Sequence, residues 1–148
     1  MAVQVQTSGV FKPLAGRPLV LPVFAGRVSA GFPSPADDFI EAGLDINEHL
    51  IANSASSFIV RVEGSSMTGA GIHSGDLLIV DRSIKARSGA IVIAVLDGEL
   101  TVKTLARTGG RWWLRAENPD FPNIAIDPDR DYAVWGVVSG VVRKLEPR

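Results

Sequence analysis

The chain has 148 residues, 46% of them hydrophobic and 21% charged, enough for one domain with a real core and too apolar for wholesale disorder. Its formal net charge of −1 argues against a protein held mainly by phosphate contacts, which needs a basic face, though not against one that reaches DNA through another protein. There is no cysteine, which excludes disulfides, a thiol nucleophile and Cys-rich zinc sites, and no apolar run nears the roughly 20 residues that cross a bilayer.

Met1–Gly16 lacks the charged and then apolar pattern of a secretory signal, so a soluble cytoplasmic protein is the expectation. The next stretch, "KPLAGRPLVLPVFAGRVSAGFPSPADD", contains Pro13, Pro18, Pro22, Pro33 and Pro35. Proline lacks an N–H and fixes φ, which excludes a central strand or a long helix. Residues 1–40 therefore read as an extended arm, in which "LVLPVF" could pair at a sheet edge. A short helix is expected to start at Ser34, with Pro35 in its first position, Asp37 and Asp38 favouring its dipole, and Gly43 ending it. "LDINEHLI" adds a further turn capped by Asp45.

Residues 41–148 form the expected β domain. "SFIVRVEG" alternates, a glycine- and serine-rich loop follows, and "DLLIVD" comes next. "GAIVIAVL" and "ELTVKTLA" flank Asp97-Gly98, a strong hairpin signal, and "RWWLRAEN" follows Gly109-Gly110 as another. "ENPDFPN" is turn-rich, and "YAVWGVVSGVVRKL" closes the chain as one or two strands. Runs such as "AIVIAVL" predict strands covered on both faces. The fold class is mainly β, a compact barrel or sandwich of short strands with an N-terminal arm and one short helix.

Few residues offer chemistry. His73 stands seven residues after Ser66 and near Asp76, but a catalytic triad is defined by geometry, and "GIHSGD" reads as an exposed turn. His49 and His73 without cysteine give no metal spacing, and no cofactor is implied. "GSSMTGAG" lacks the Gly-Lys-Ser/Thr that closes a phosphate loop. Adjacent Trp112 and Trp113 divide between core and interface more readily than they stack on bases.

A serine can also be activated by a neutral lysine, whose pKa must fall well below its ordinary value of about 10.4. Of Lys12, Lys85, Lys103 and Lys144, only Lys103 interrupts a core-like strand, "LTVKTL". By alternation it shares a face with Thr101 and Leu105 and reads as solvent-exposed, and Ser66 alone reads as a turn serine. Residue pattern goes no further.

Three stretches together resemble the self-cleaving LexA/UmuD family of serine–lysine peptidases, and most closely its UmuD branch, accessory subunits of error-prone DNA polymerases. "AGFPSPADDFIE" resembles the cleavage segment, "VEGSSMTGAGIHSGDLLIVD" the nucleophile loop, and "GAIVIAVLDGELTVKTL" the strand pair bearing the lysine. "ENPDF" and "VWGVVSGVVRKL" are similar to its later strands, so the resemblance spans roughly residues 18 to 145. It implies a nucleophile at Ser66, identified by the following Met67, a general base at Lys103, and a scissile bond between Ala30 and Gly31. Backbone N–H groups of Ser65 and Ser66 would hold the oxyanion. Ser65 stands where the family often has an acidic residue. The thirty proline-rich residues before Gly31 leave no room for the helix-turn-helix of the LexA-like repressors, so sequence-specific DNA binding is not expected. The implied partners are a second copy, a RecA filament on single-stranded DNA acting as co-protease, and a UmuC-like translesion polymerase. Rival readings are a dimeric interaction module with an idle dyad, a general processing peptidase, and a plain β scaffold.

Overall fold

The computed structural model describes residues 10–11, 18–23, 28–32 and 42–146. The helix expected from Ser34 falls almost wholly outside them. The chain divides into two units, residues 15–52 and a larger unit containing 53–148 with the strand at residues 10–11.

The smaller unit pairs β2 (Val20–Leu21) with β3 (Leu44–Asp45), so part of "LVLPVF" does form a sheet edge. The single α-helix among the described residues, α1 (Ile46–Leu50), starts at Asp45, whose carboxylate accepts a hydrogen bond from the Asn47 N–H at 3.0 Å. That cap satisfies one of the donors left open by the first helical turn.

The larger unit is an antiparallel sheet. Besides β1 (Val10–Phe11) it contains β4 (Ser57–Arg61), β5 (Leu77–Asp81), β6 (Ile91–Leu96), β7 (Glu99–Thr108), β8 (Arg111–Arg115), β9 (Ile124–Ala125) and β10 (Tyr132–Val142). The spatial order is β1-β4-β5-β10-β6-β7-β8-β9. The mainly β expectation holds. Both hairpins form where expected: Asp97 and Gly98 turn β6 into β7 at φ 50° and 83°, and Gly109-Gly110 turns β7 into β8 at φ 61° and 75°. Positive φ at both turn residues matches the strands' right-handed twist.

"YAVWGVVSGVVRKL" is one strand with two partners. Residues 132–137 of β10 pair with β6 and residues 137–142 with β5, with register shifts at Val134/Gly136 and Val138/Gly140. Such bulges bend a strand and increase its twist, so β10 carries the sheet around a corner. Apolar clusters form on both faces. Val60, Val62, Met67, Ile72, Leu78, Val80 and Ile93 make one, and Val92, Ala94, Leu105, Leu114 and Val137 the other. Neighbouring Val92 and Ile93 thus serve opposite cores, as the unbroken apolar run implied. Trp112 packs on the second cluster, and Arg107 and Arg111 lie over Trp112 and Trp113 respectively. No helix among the described residues is long and apolar enough to cross a membrane.

Gly136 is where the corner is tightest. A Cβ there would lie 2.5 Å from Val80 Cγ1, inside a fully buried cluster. Gly136→Ala is expected to lower unfolding stability by about 1–3 kcal/mol through overpacking. Urea denaturation measures it; an unchanged midpoint would show that the corner relaxes without cost.

Candidate active site

Ser66 lies in the loop that leaves β4, and Lys103 in the middle of β7. In sheet order these strands are four steps apart, roughly 19 Å in a flat sheet at about 4.8 Å per step. The curled sheet and the reach of the loop bring the two side chains together: Lys103 Nζ lies 3.0 Å from Ser66 Oγ. The amine also donates to Thr101 Oγ1 and to the Val102 carbonyl, each at 3.1 Å.

Lys103 is only 8% exposed, which corrects the strand-alternation reading of a solvent-facing side chain. Alternation fails because residues 103–106 of β7 are all buried, so consecutive side chains meet protein on both faces. Burial pushes the Lys103 pKa below the ordinary lysine value, since the ammonium loses hydration. Among the described residues no carboxylate forms an ion pair with it. The amine donates to all three polar neighbours, Ser66 Oγ, Thr101 Oγ1 and the Val102 carbonyl; in its neutral form two N–H groups can serve Thr101 and Val102, which leaves a lone pair directed at Ser66.

The Ser66 loop is closed at its base and strapped at its tip. At the base, the Val62 N–H donates to the Asp76 carbonyl at 2.9 Å and the Gly75 N–H to the Val62 carbonyl at 2.8 Å. Arg143, just past β10, grips Asp76 with Nε and Nη2, each at 2.6 Å, and donates to the Gly71 carbonyl at 2.9 Å. Met67 and Ile72 anchor the loop in the core at 2% and 1% exposure. At the tip, "ENPDF" acts as the strap. The Glu117 N–H donates to the Ser66 carbonyl at 2.8 Å, the Gly69 N–H donates to the Glu117 carbonyl at 2.7 Å, and Asn118 Nδ2 donates to the Ser65 carbonyl at 2.8 Å. Thr104 on β7 donates to Glu117 at 2.8 Å, tying the strap to the strand that bears Lys103. A Cβ at Gly69 would lie 2.5 Å from the Glu117 carbonyl oxygen, so only glycine permits this approach.

The strap leaves the N–H groups of Ser65 and Ser66 without an acceptor among the described residues. Ser65 is exposed and Ser66 half-buried. Ala30 and Gly31 lie in an exposed bend of the smaller unit, where the Gly31 N–H donates to Ser29 Oγ at 3.2 Å. His73 is exposed, and its backbone N–H donates to Asp76 Oδ2 at 2.7 Å, so its sequence proximity to Ser66 reflects a turn. Thr101, Gly69, Glu117, Asn118 and Arg143 were not singled out from sequence. "ENPDF" was the one visible signal for the strap, and nothing local links Arg143 to Asp76 across 67 residues.

A family model for the Peptidase S24-like proteins matches residues 22–139. The chain belongs to this family. It is 42% identical over 126 residues to Protein MucA of Salmonella typhimurium, an alignment covering 84% of this chain and 86% of MucA. It is 43% identical over 123 residues to Protein SamA of Salmonella typhimurium strain LT2, covering 83% and 85%. Identity to the LexA repressor of Bordetella avium is 42% over 125 residues, 84% of this chain but 58% of the repressor. The S24-like chain is thus UmuD-like within the LexA/UmuD family, as the three sequence stretches implied.

The Asp76–Arg143 grip should be visible in acid. Hydrogen bonds from Arg143, ahead of the opposing effect of burial and assisted by the His73 N–H, hold the Asp76 pKa at about 2. A carboxylate depressed on folding stabilises the native state fully above its unfolded pKa of about 3.9, and that stabilisation is lost as pH falls through the folded value. The Tm gap between wild type and Asp76→Asn is therefore expected to be full at pH 7 and to narrow as pH falls from about 4 towards 2. A gap independent of pH in thermal unfolding would contradict this role.

Proposed function

We propose that this S24-like peptidase cleaves its own chain between Ala30 and Gly31, with Ser66 as nucleophile and Lys103 as general base. The observation that carries the reading is the 3.0 Å contact between Ser66 Oγ and a buried Lys103 amine whose pKa is lowered by desolvation. Neutral Lys103 takes the Ser66 proton as Oγ attacks the Ala30 carbonyl carbon. The N–H groups of Ser65 and Ser66 stabilise the tetrahedral oxyanion. Collapse breaks the C–N bond, the Lys103 proton passes to the Gly31 nitrogen, and Ala30 remains as an ester on Ser66. A water deprotonated by Lys103 then hydrolyses the ester, releasing Met1–Ala30 and restoring Ser66. Small side chains on both sides of the bond, and its exposed bend, suit close approach to the nucleophile.

The biological setting follows from kinship with the UmuD-like relatives. The chain acts as a homodimer in the DNA-damage (SOS) response, a RecA filament on single-stranded DNA promotes the cut, and Gly31–Arg148 serves as accessory subunit of a UmuC-like translesion polymerase. A near-neutral charge supports reaching DNA through these partners rather than directly.

Incubation of the purified chain, followed by intact mass, tests the chemistry. Wild type is expected to yield Gly31–Arg148 at a rate that rises with pH as Lys103 loses its proton. Because its pKa is lowered, the rate should level off below the roughly 10.4 of a free lysine. Ser66→Ala and Lys103→Ala should each abolish the product with little change in Tm. Cleavage by either variant would overturn the dyad; no cleavage of wild type at any pH, with or without RecA filament, would favour an interaction module with an idle dyad. Gly69→Ala, which disturbs the strap without touching either reactive group, is expected to slow cleavage about tenfold or more, as misplacement of a nucleophile does. A wild-type rate would show that the strap does not position Ser66.

A further inference from the structure

The outermost strand of the large sheet lies on the N-terminal side of the proposed cut. β1 pairs antiparallel with β4, Val10 opposite Val60 and Phe11 opposite Ile59, and β5 takes the other side of β4. Without β1, β4 would be the end of the sheet. Its sequence, SFIVR, carries three consecutive apolar residues, no proline and no lysine, with one charge at its last position. It therefore lacks most of the devices by which proteins blunt an open edge, and among the described residues the strand that covers it is β1.

We infer that cleavage at Ala30–Gly31 uncovers the β4 edge, which then receives a short extended apolar segment of a partner protein as an added antiparallel strand. The inference rests on the proposed self-cleavage. Before the cut, the covalent link keeps Val10–Phe11 at high local concentration beside β4. After the cut, the described pairings of the fragment Met1–Ala30 are two ladders of two residues each, β1 on β4 and β2 on β3, too few hydrogen bonds to hold it at about micromolar concentration. The partner segment is specified by the backbone pairing of β1 and by its sequence, Val10-Phe11: a short apolar strand, antiparallel to β4 and bound mainly through its backbone. One cut thus converts a closed sheet into an acceptor, and the same bond controls both the chemistry and the docking surface.

Hydrogen exchange of residues 57–61 in the full-length, uncut Ser66→Ala chain tests this without requiring cleavage. Val10→Pro/Phe11→Pro in that background removes the two N–H groups of β1 and mimics its release. The β4 amide that faces β1 within residues 59–60 is expected to exchange about tenfold faster or more, while the β4 amides bonded to β5 and those of β6 and β7 stay unchanged. Should the proline pair disturb the whole fold, Val10→Gly/Phe11→Gly gives a milder loss of β1. The probe is a synthetic peptide of residues 6–15, QTSGVFKPLA, which at about millimolar concentration, roughly a thousandfold above a fragment released by cleavage, should restore the protection in either variant, whereas a scrambled peptide should not. Unchanged exchange with intact folding in both variants, or no restoration by the peptide, would overturn the inference. Protection that returns with rising protein concentration and no peptide would also overturn it, since the occupant would then be a second copy. Wild-type protein after self-cleavage should behave like the proline variant. If wild type never cuts, the proposed function fails while the comparison of uncut variants still reads the edge.

Discussion

Burying Lys103 beside Ser66 strips water from its amine and lowers its pKa, and most of the larger unit serves that placement. β7 must be covered on both faces at residues 103–106, so the sheet has to curl and provide two apolar clusters rather than one. The curl depends on β10, whose two bulges let one strand pair with β6 and β5 in succession. With no carboxylate paired to Lys103 among the described residues, desolvation acts without an opposing charge and favours the neutral base.

Ser66 is positioned differently. Ser66 lies on a loop, and loops are ordinarily the mobile parts of a fold. This one is sealed by Asp76 and Arg143 at its base, pinned in the core by Met67 and Ile72, and strapped by Glu117 and Asn118 at its tip. The strap is itself tied through Thr104 to the strand carrying Lys103. Ser66 and Lys103 are thus referenced to one another through a short network rather than through the distant ends of a sheet. The strap uses carbonyls and leaves the Ser65 and Ser66 N–H groups without acceptors among the described residues, the arrangement an oxyanion site requires.

In the proposed scheme, proteolysis and assembly share one segment of chain. Residues N-terminal to Ala30 supply both the proposed leaving fragment and the strand that covers β4. Under the proposed cleavage, exposure of the β4 edge would report to a partner that the bond has been broken.

The Asp97-Gly98 and Gly109-Gly110 hairpins, the Asp45 cap and the doubly covered apolar strands were legible because each depends on local preference, φ at a turn, an orphan N–H at a helix start, or unbroken hydrophobicity. Ser66 and Lys103 were legible only as members of a family pattern; residue by residue they read as a turn serine and an exposed lysine. Tertiary structure alone decided that Lys103 is buried, that β10 is one bent strand, that Arg143 holds Asp76, and that "ENPDF" straps the Ser65-Ser66 loop. Each of these joins residues far apart in sequence, and burial and hydrogen bonding between them exist only once the sheet has curled.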